Sequence, residues 1–242
     1  MTTPLRHRLK PAARRLWLWS RDWPLLASFV VVLVFCAIAM LAIDRPLALA
    51  LKAHVGPQLE GFFKTITVLG DASGYIVVGL VAMLVLRALA NLSVSEEHFT
   101  RYRRLGRVAL FFLAAMLGSG ALVSVLKFSI GRLRPRYLFE SGLYGFQPFN
   151  AEWAMNSFPS GHSQAIFAAM TALYFIYPRY DVAYFALAIL IAMSRVVTSV
   201  HYLSDTVMGA WLAVAVVILI RRLFWARGID VQVKLARDRQ LV

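Results

Sequence analysis

Apolar residues along this chain come in long runs, and most charged residues lie in the stretches between them. Pro24 to Ile43 is a charge-free run of 20 residues, enough for a helix to cross a hydrocarbon layer of about 30 Å. Gly74–Leu89, Val108–Leu126, Gly161–Tyr177, Val182–Val197 and Ser204–Ile220 are further apolar segments. The last three reach a polar group early at one end, as expected if that end lies in a polar pocket. Asp44 to Ser73 is different. Its apolar residues fall at helical spacing in Pro46–Val55 and Leu59–Leu69, but Lys52, Gly56, Pro57, Glu60 and Lys64 interrupt them. Neither piece can span, so short helices lying in the interface are expected. Ala90–Arg107 reads as a polar loop and Lys127–Ser160 as the longest polar connection. The pattern predicts an all-α, six-transmembrane-helix bundle over 24–223, between a basic N-terminus (1–23) and a basic tail (224–242).

Composition agrees. The chain is 60% hydrophobic with a mean hydropathy of +0.67, too apolar for a soluble domain of 242 residues. Its net charge of +14 would suggest nucleic acid in a soluble protein. Here the charge flanks apolar segments, where orientation in an anionic bilayer explains it better. The lone cysteine, Cys36, lies inside an apolar run, so no internal disulfide is possible. With six alternating spans, the side bearing both termini, the 87–107 loop and the 178–181 turn holds 18 Lys and Arg, and the other side 8. The positive-inside rule makes the termini cytoplasmic. Five of those 8 are Lys127, Arg132, Arg134, Arg136 and Arg195. Cations clustered on the disfavoured side point to a ligand.

Three stretches on that face carry the candidate chemistry. Lys127 to Arg134-Pro135 supplies a compact ammonium and a planar guanidinium, with Gly131 bending the chain between them. Pro159-Ser160-Gly161-His162 reads as a stop, an N-cap and a close backbone approach. The helix it opens offers unpaired N–H groups and a positive dipole end to an anion. Arg195 precedes His201 and Asp205, which lie four apart on one helical face, so the carboxylate can hold one ring nitrogen and leave the other free. Singly, each has a bland reading: a headgroup-contacting cluster, a capped helix, a structural His–Asp pair. Ionisable groups converging at membrane depth default to function.

Lys127-x6-Arg134-Pro135, Pro159-Ser160-Gly161-His162 and Ser194-Arg195-x5-His201-x3-Asp205 resemble the three-part signature of the type-2 phosphatidic acid phosphatase superfamily. The resemblance covers Lys127 to Asp205, complete and in order. The six-span layout extends it to the integral-membrane lipid phosphatases, whereas the vanadium haloperoxidases and acid phosphatases of the superfamily are soluble. It implies a metal-independent phosphomonoester or diphosphate hydrolase working through a phosphohistidine, with no cofactor. His201 would be the nucleophile, Asp205 its orienting partner and His162 the general acid, then base. Lys127, Arg134, Ser160, Gly161 and Arg195 would hold the phosphate oxygens.

Arg132 and Arg136 stay open between contacting a second phosphate or sugar and a solvated interfacial role, the latter favoured. The aromatic 137–158 loop reads as an interfacial belt or as a lid. The expected substrate is an amphiphile entering from the outer leaflet of a bacterial inner membrane. Undecaprenyl diphosphate, phosphatidylglycerol phosphate, phosphatidic acid and a lipid A phosphate all fit, and no nucleic acid is expected. A phosphotransferase using the same site, or an anionic-lipid transporter, are the rival readings. Oligomeric state is not legible.

Overall fold

Prolines and short polar caps set where the helices begin. In the computed structural model, which describes residues 22–152 and 154–233, Pro24, Pro57 and Pro135 each stand in the first turn of a helix, where a missing N–H costs nothing. Asp71 caps a fourth helix by accepting from Ser73 N–H at 2.8 Å. In chain order the helices are α1 Pro24–Ile38, running through a π turn at Ala39–Ile43 into α2 Asp44–His54, then α3 Pro57–Ile66 and α4 Ala72–Leu92. α5 Glu96–Ile130, α6 Pro135–Ser141, α7 Gly161–Ile176, α8 Asp181–Val197 and α9 Leu203–Ala226 follow. Strand pairing among the described residues is limited to two isolated bridges, Arg132 with Phe146 and Leu133 with Asn156.

Among the described residues, five helical stretches are long and apolar enough to cross a membrane: Pro24–His54, Pro57–Leu92, Glu96–Ile130, Pro178–Val197 and Leu203–Ala226. α7, at 16 residues, is not among the five. It is nevertheless the post around which the others stand. Ala165, Ala168, Ala169 and Ala172 along it are fully buried, and α5, α8 and α9 pack against it. Lipid offers little hydrophobic drive to pair helices, so such packing rests on small residues that let backbones approach. Two polar side chains of this core pair across it: Gln164 donates to Ser119 Oγ at 2.7 Å, and Ser119 Oγ to Ala115 O at 2.6 Å. Large apolar side chains of α1 and α4, including Val31, Val34, Val78 and Leu84, face outward. The chain is a multi-pass membrane protein.

The expected loop at 90–107 is mostly helix. α5 opens at Glu96, with Glu97 also in its first turn, where carboxylates complement the helix dipole. At 1.5 Å per residue its 35 residues extend about 50 Å, so the arginine-bearing turns project past a hydrocarbon layer of about 30 Å. Basic composition marked the polar end of a long helix rather than a break in it. At the other terminus α9 continues to Ala226, and Phe224 and Val231 are buried in the main core. The expected interfacial character of 1–21 and the tail beyond 233 lie outside the described residues.

Gly209 of α9 lies against the loop that leads into α7. A Cβ there would stand 2.4 Å from Ser160 O, a contact the backbone cannot accept. Gly209→Ala is therefore expected to lower the melting temperature of the purified protein by several degrees. Gly61→Ala, whose Cβ meets nothing within 4 Å, should leave it unchanged or raise it slightly, as helix propensity predicts.

Candidate active site

Arg132 sits at the centre of the loop between α5 and α6, and the prediction of a solvated role for it is corrected here. Its side chain is 2% exposed. Nη1 donates to Asp205 Oδ1 at 2.5 Å and Ser204 Oγ at 2.7 Å, and Nη2 to Asp44 Oδ2 at 2.9 Å and Tyr144 OH at 2.9 Å. The guanidinium also lies 4.2 Å from the Tyr202 ring centroid. Burial alone would lower its pKa, but Asp205 and Asp44 outweigh that and raise it above the ordinary arginine range. A planar fork with donors on two sides can bridge two carboxylates, which a lysine cannot. Ser204 closes the cluster, donating to Asp44 Oδ2 at 2.5 Å. Asp44, two-thirds of the chain away in sequence, is 1% exposed.

Asp205 is thereby fixed from one side, and its second oxygen faces the histidine. Oδ2 accepts from Ser157 Oγ at 2.5 Å and from Tyr202 N–H at 2.8 Å. Its distance to His201 Nδ1 is 3.6 Å, beyond hydrogen-bond length. Ser157 fills that gap, its Oγ lying 3.2 Å from His201 Nδ1. The predicted His–Asp pair is therefore joined through a serine hydroxyl. His201 N–H donates to Arg195 O at 3.0 Å, which sets the ring's height, and the residue is 3% exposed. Burial pulls its pKa down to about 3, with Lys127 and Arg134 adding to the fall against the opposing pull of Asp205. The imidazole is neutral at physiological pH, with Nδ1 engaged and Nε2 left for a ligand.

The predicted cations gather around this histidine. Lys127, on the last turn of α5 and 2% exposed, donates to Asn156 O at 2.9 Å and Ser157 O at 3.3 Å. Arg195 gives one nitrogen to Thr67 Oγ1 at 2.8 Å. Arg134 stands at the N-cap of α6, and burial, reinforced by Arg136, holds its pKa below the ordinary arginine range against Asp205. Among the described residues the Nε atoms of both Arg134 and Arg195 are buried without a hydrogen-bond partner. Buried guanidinium donors are rarely left so. An anion with several oxygens is the chemistry that satisfies them.

The opening turn of α7 completes the wall. Ser160 N–H donates to Asp205 O at 2.9 Å, tying the α7 entrance to α9. Its Oγ accepts from Ser163 N–H at 3.4 Å and Ser163 Oγ at 3.0 Å, so the predicted N-cap is present and the hydroxyl proton is left to donate. Gly161 and His162 line a cavity of about 490 Å³ together with Lys127, Asp71, Met116 and Leu117. Arg134 and Arg136 line a second cavity, of about 500 Å³, with Lys52, Lys64, Glu60 and Thr198. Arg136 itself is exposed and stacks on the Tyr137 ring at 4.8 Å.

The aromatic 137–158 loop divides between roles. Tyr144 and Phe158 pack inward, Tyr144 on Arg132 and Phe158 beside Cys36 and Met208. Phe149 stacks edge-on against Phe128 at 5.8 Å, and Trp153 lies outside the described residues. Asp44, Ser157, Ser204 and Tyr144 went unnoticed in the sequence. Asp44 closes an apolar run and Ser157 adjoins the recognised Pro159–His162 stretch, but nothing local marks either as a partner of Arg132 or His201.

Residues 108–229 match the PAP2 superfamily. The chain is 32% identical over 205 residues to a lipid A 1-phosphatase of Rhizobium johnstonii, covering 81% of each protein. It is 30% identical over 187 residues to one of Rhizobium etli, covering 76% of this chain and 78% of that one. Its fold resembles the crystal structure of a transmembrane PAP2-type phosphatidylglycerolphosphate phosphatase from Bacillus subtilis. The TM-score is 0.56 at 20% identity, over 84% of this chain and 96% of the other. The chain belongs to the PAP2 superfamily. It is a membrane phosphatase acting on a lipid.

Removing Arg132 should collapse this arrangement. Arg132→Met leaves Asp44 and Asp205 buried beside one another without a counter-charge, a loss on the order of 3–5 kcal/mol. Chemical denaturation in detergent is expected to show that fall, and Arg132→Lys should restore less than half of it.

Proposed function

We propose that this protein hydrolyses the 1-phosphate of a lipid A-type glycolipid through a covalent phosphohistidine on His201. The observation that carries the phosphate site is the pair of buried, unpartnered Nε donors of Arg134 and Arg195 flanking a neutral histidine whose Nδ1 is engaged. In this reading Nε2 of His201 attacks phosphorus as neutral imidazole. Ser157 and Asp205 hold the ring and stabilise the cation that forms. Lys127, Arg134, Arg195 and the Gly161 N–H receive the equatorial oxygens as charge shifts outward. His162, beside Lys127 in the same cavity, protonates the departing sugar oxygen. It then takes a proton from the water that resolves the intermediate. These fixed cations supply the charge stabilisation, so turnover should survive a chelator.

The substrate assignment draws on the two Rhizobium proteins, named lipid A 1-phosphatases, which align with most of this chain. Two cavities suit such a molecule. The one lined by Lys52, Lys64, Arg134 and Arg136 is polar and wide enough for part of a sugar headgroup. The one bounded by Met116, Leu117 and Val123 is lined largely by apolar residues, with His162 and Lys127 among them, and suits acyl chains. In this arrangement α7 is the sixth crossing, made short because its first turn ends in the phosphate pocket. α2 and α3 lie in the interface beside the headgroup. The charge asymmetry of the sequence supports a periplasmic position for this face, in a bacterial inner membrane.

Phosphate release from purified protein in detergent with chelator, compared across lipid A, phosphatidylglycerol phosphate, undecaprenyl diphosphate and phosphatidic acid, tests the substrate. Lipid A is expected to turn over at least tenfold faster than the others. Comparable rates on a glycerophospholipid would overturn the assignment. The pH profile is a separate test. A histidine with its pKa lowered to about 3 stays unprotonated above that pH and is lost as nucleophile only as pH falls through it. The acid limb of kcat/KM, which reports the free enzyme, should therefore lie well below the ordinary histidine range near 6.5. An acid limb at that ordinary value would contradict a buried, neutral His201.

A further inference from the structure

A third cavity, of about 500 Å³, opens at the other end of the bundle. It lies between the last turns of α4 and the first turns of α5, lined by Arg87, Asn91, Tyr102, Arg103, Gly106 and Arg107 among others. Arg107 precedes Lys127 by 20 positions on one continuous helix, so about 30 Å separates the two along α5 at 1.5 Å per residue. That is the thickness of a hydrocarbon core. The cavity therefore stands at the opposite membrane interface from the phosphate site and has no part in the chemistry above.

We propose that this cavity binds the phosphate headgroup of an anionic phospholipid. Three arginines converge on it and, among the described residues, no carboxylate lines it. Arg103 and Arg107 are four apart on one helix, a like-charge placement that costs stability unless an anion screens it. Arg87 faces them from the neighbouring helix. Asn91 and Tyr102 add neutral polar groups at the rim, and Phe99 lies 5.7 Å beneath the Arg103 guanidinium. The lining continues downward through Met83 and Leu110. Beside it the α4 surface is apolar and outward-facing, with Leu84 and Val85 half exposed. Guanidinium forks above and a bare apolar face below match a phosphate with acyl chains attached. They do not match a free inorganic anion, which would leave the apolar half of the cavity unused.

The test uses the full-length protein in detergent, loaded with dioleoyl-phosphatidylglycerol, dioleoyl-phosphatidylcholine or inorganic phosphate, with retained ligand counted by native mass spectrometry. Two variants accompany it: Arg87→Gln/Arg107→Gln, and Gly106→Leu, which fills the cavity without touching its charges. The first carbon of that side chain has room, since a Cβ at Gly106 meets only Leu86 Cβ, at 4.0 Å. The wild type should retain a phosphatidylglycerol that phosphatidylcholine does not replace and excess inorganic phosphate does not displace. At about fivefold per arginine near an anionic lipid, the double variant should bind it roughly 25-fold more weakly. Gly106→Leu should lose it with the melting temperature unchanged, which keeps the test valid if the double variant folds poorly. Equal retention of phosphatidylcholine, displacement by inorganic phosphate, or undiminished binding by Gly106→Leu would overturn the proposal. Hydrolysis by the phosphate site is a separate readout, and its failure leaves this one unaffected.

Discussion

A single buried guanidinium joins the parts of this protein that matter to its site. Arg132 bridges Asp44, at the junction of α1 and α2, to Asp205, at the start of α9, and holds both within hydrogen-bond distance. Two carboxylates and an arginine at this depth are costly to desolvate, and only full mutual satisfaction makes them tolerable. The three ions are each partnered here: Ser204 and Tyr144 accept further hydrogen bonds from the guanidinium, and the Tyr202 ring lies against its face. Because Asp205 is pinned from behind, its other oxygen has a fixed direction. Ser157 and then His201 take their positions from it. Rigidity at the histidine thus begins with an ion pair that never touches the phosphate.

The pocket in front of that histidine is built on the opposite principle. Behind it the two carboxylates are held by hydrogen bonds from Arg132, Ser204, Ser157 and the Tyr202 N–H, whereas in front the Nε atoms of Arg134 and Arg195 are left without partners. Such an imbalance costs stability in the empty protein and returns it when an anion arrives. A site organised this way binds developing negative charge without reorganising at the moment of reaction. The two flanking cavities, one polar and one lined mainly by apolar side chains, extend the same division to the rest of an amphiphilic substrate.

The sequence disclosed the helices and the residues that gather at the site better than it disclosed what supports them. Apolar runs located the membrane-crossing segments because period and length are local properties. Lys127, Arg134, Arg195, His201 and Asp205 converge as their spacing implied. Two misreadings have physical causes. The 96–107 stretch read as loop because of its arginines, yet helix propensity and an acidic first turn carry α5 through it. Arg132 read as solvated because it sits among exposed-looking basic residues, and its partner Asp44 lies 88 positions away. A long-range ion pair leaves no trace in local pattern. Ser157 was missed for a related reason: a serine hydroxyl bridging histidine and aspartate looks, in sequence, like any loop serine.

The central claim is that the supported histidine, His201, takes the phosphoryl group covalently. The most direct measurement is a rapid acid-free quench of turnover with substrate labelled in its phosphate, followed by mass spectrometry of the protein. The account predicts label on His201 as an acid-labile, base-stable phosphoramidate. The label should be present in the wild type and absent in His201→Ala. Phosphate release at an undiminished rate by His201→Ala, or label carried by another residue, would contradict it.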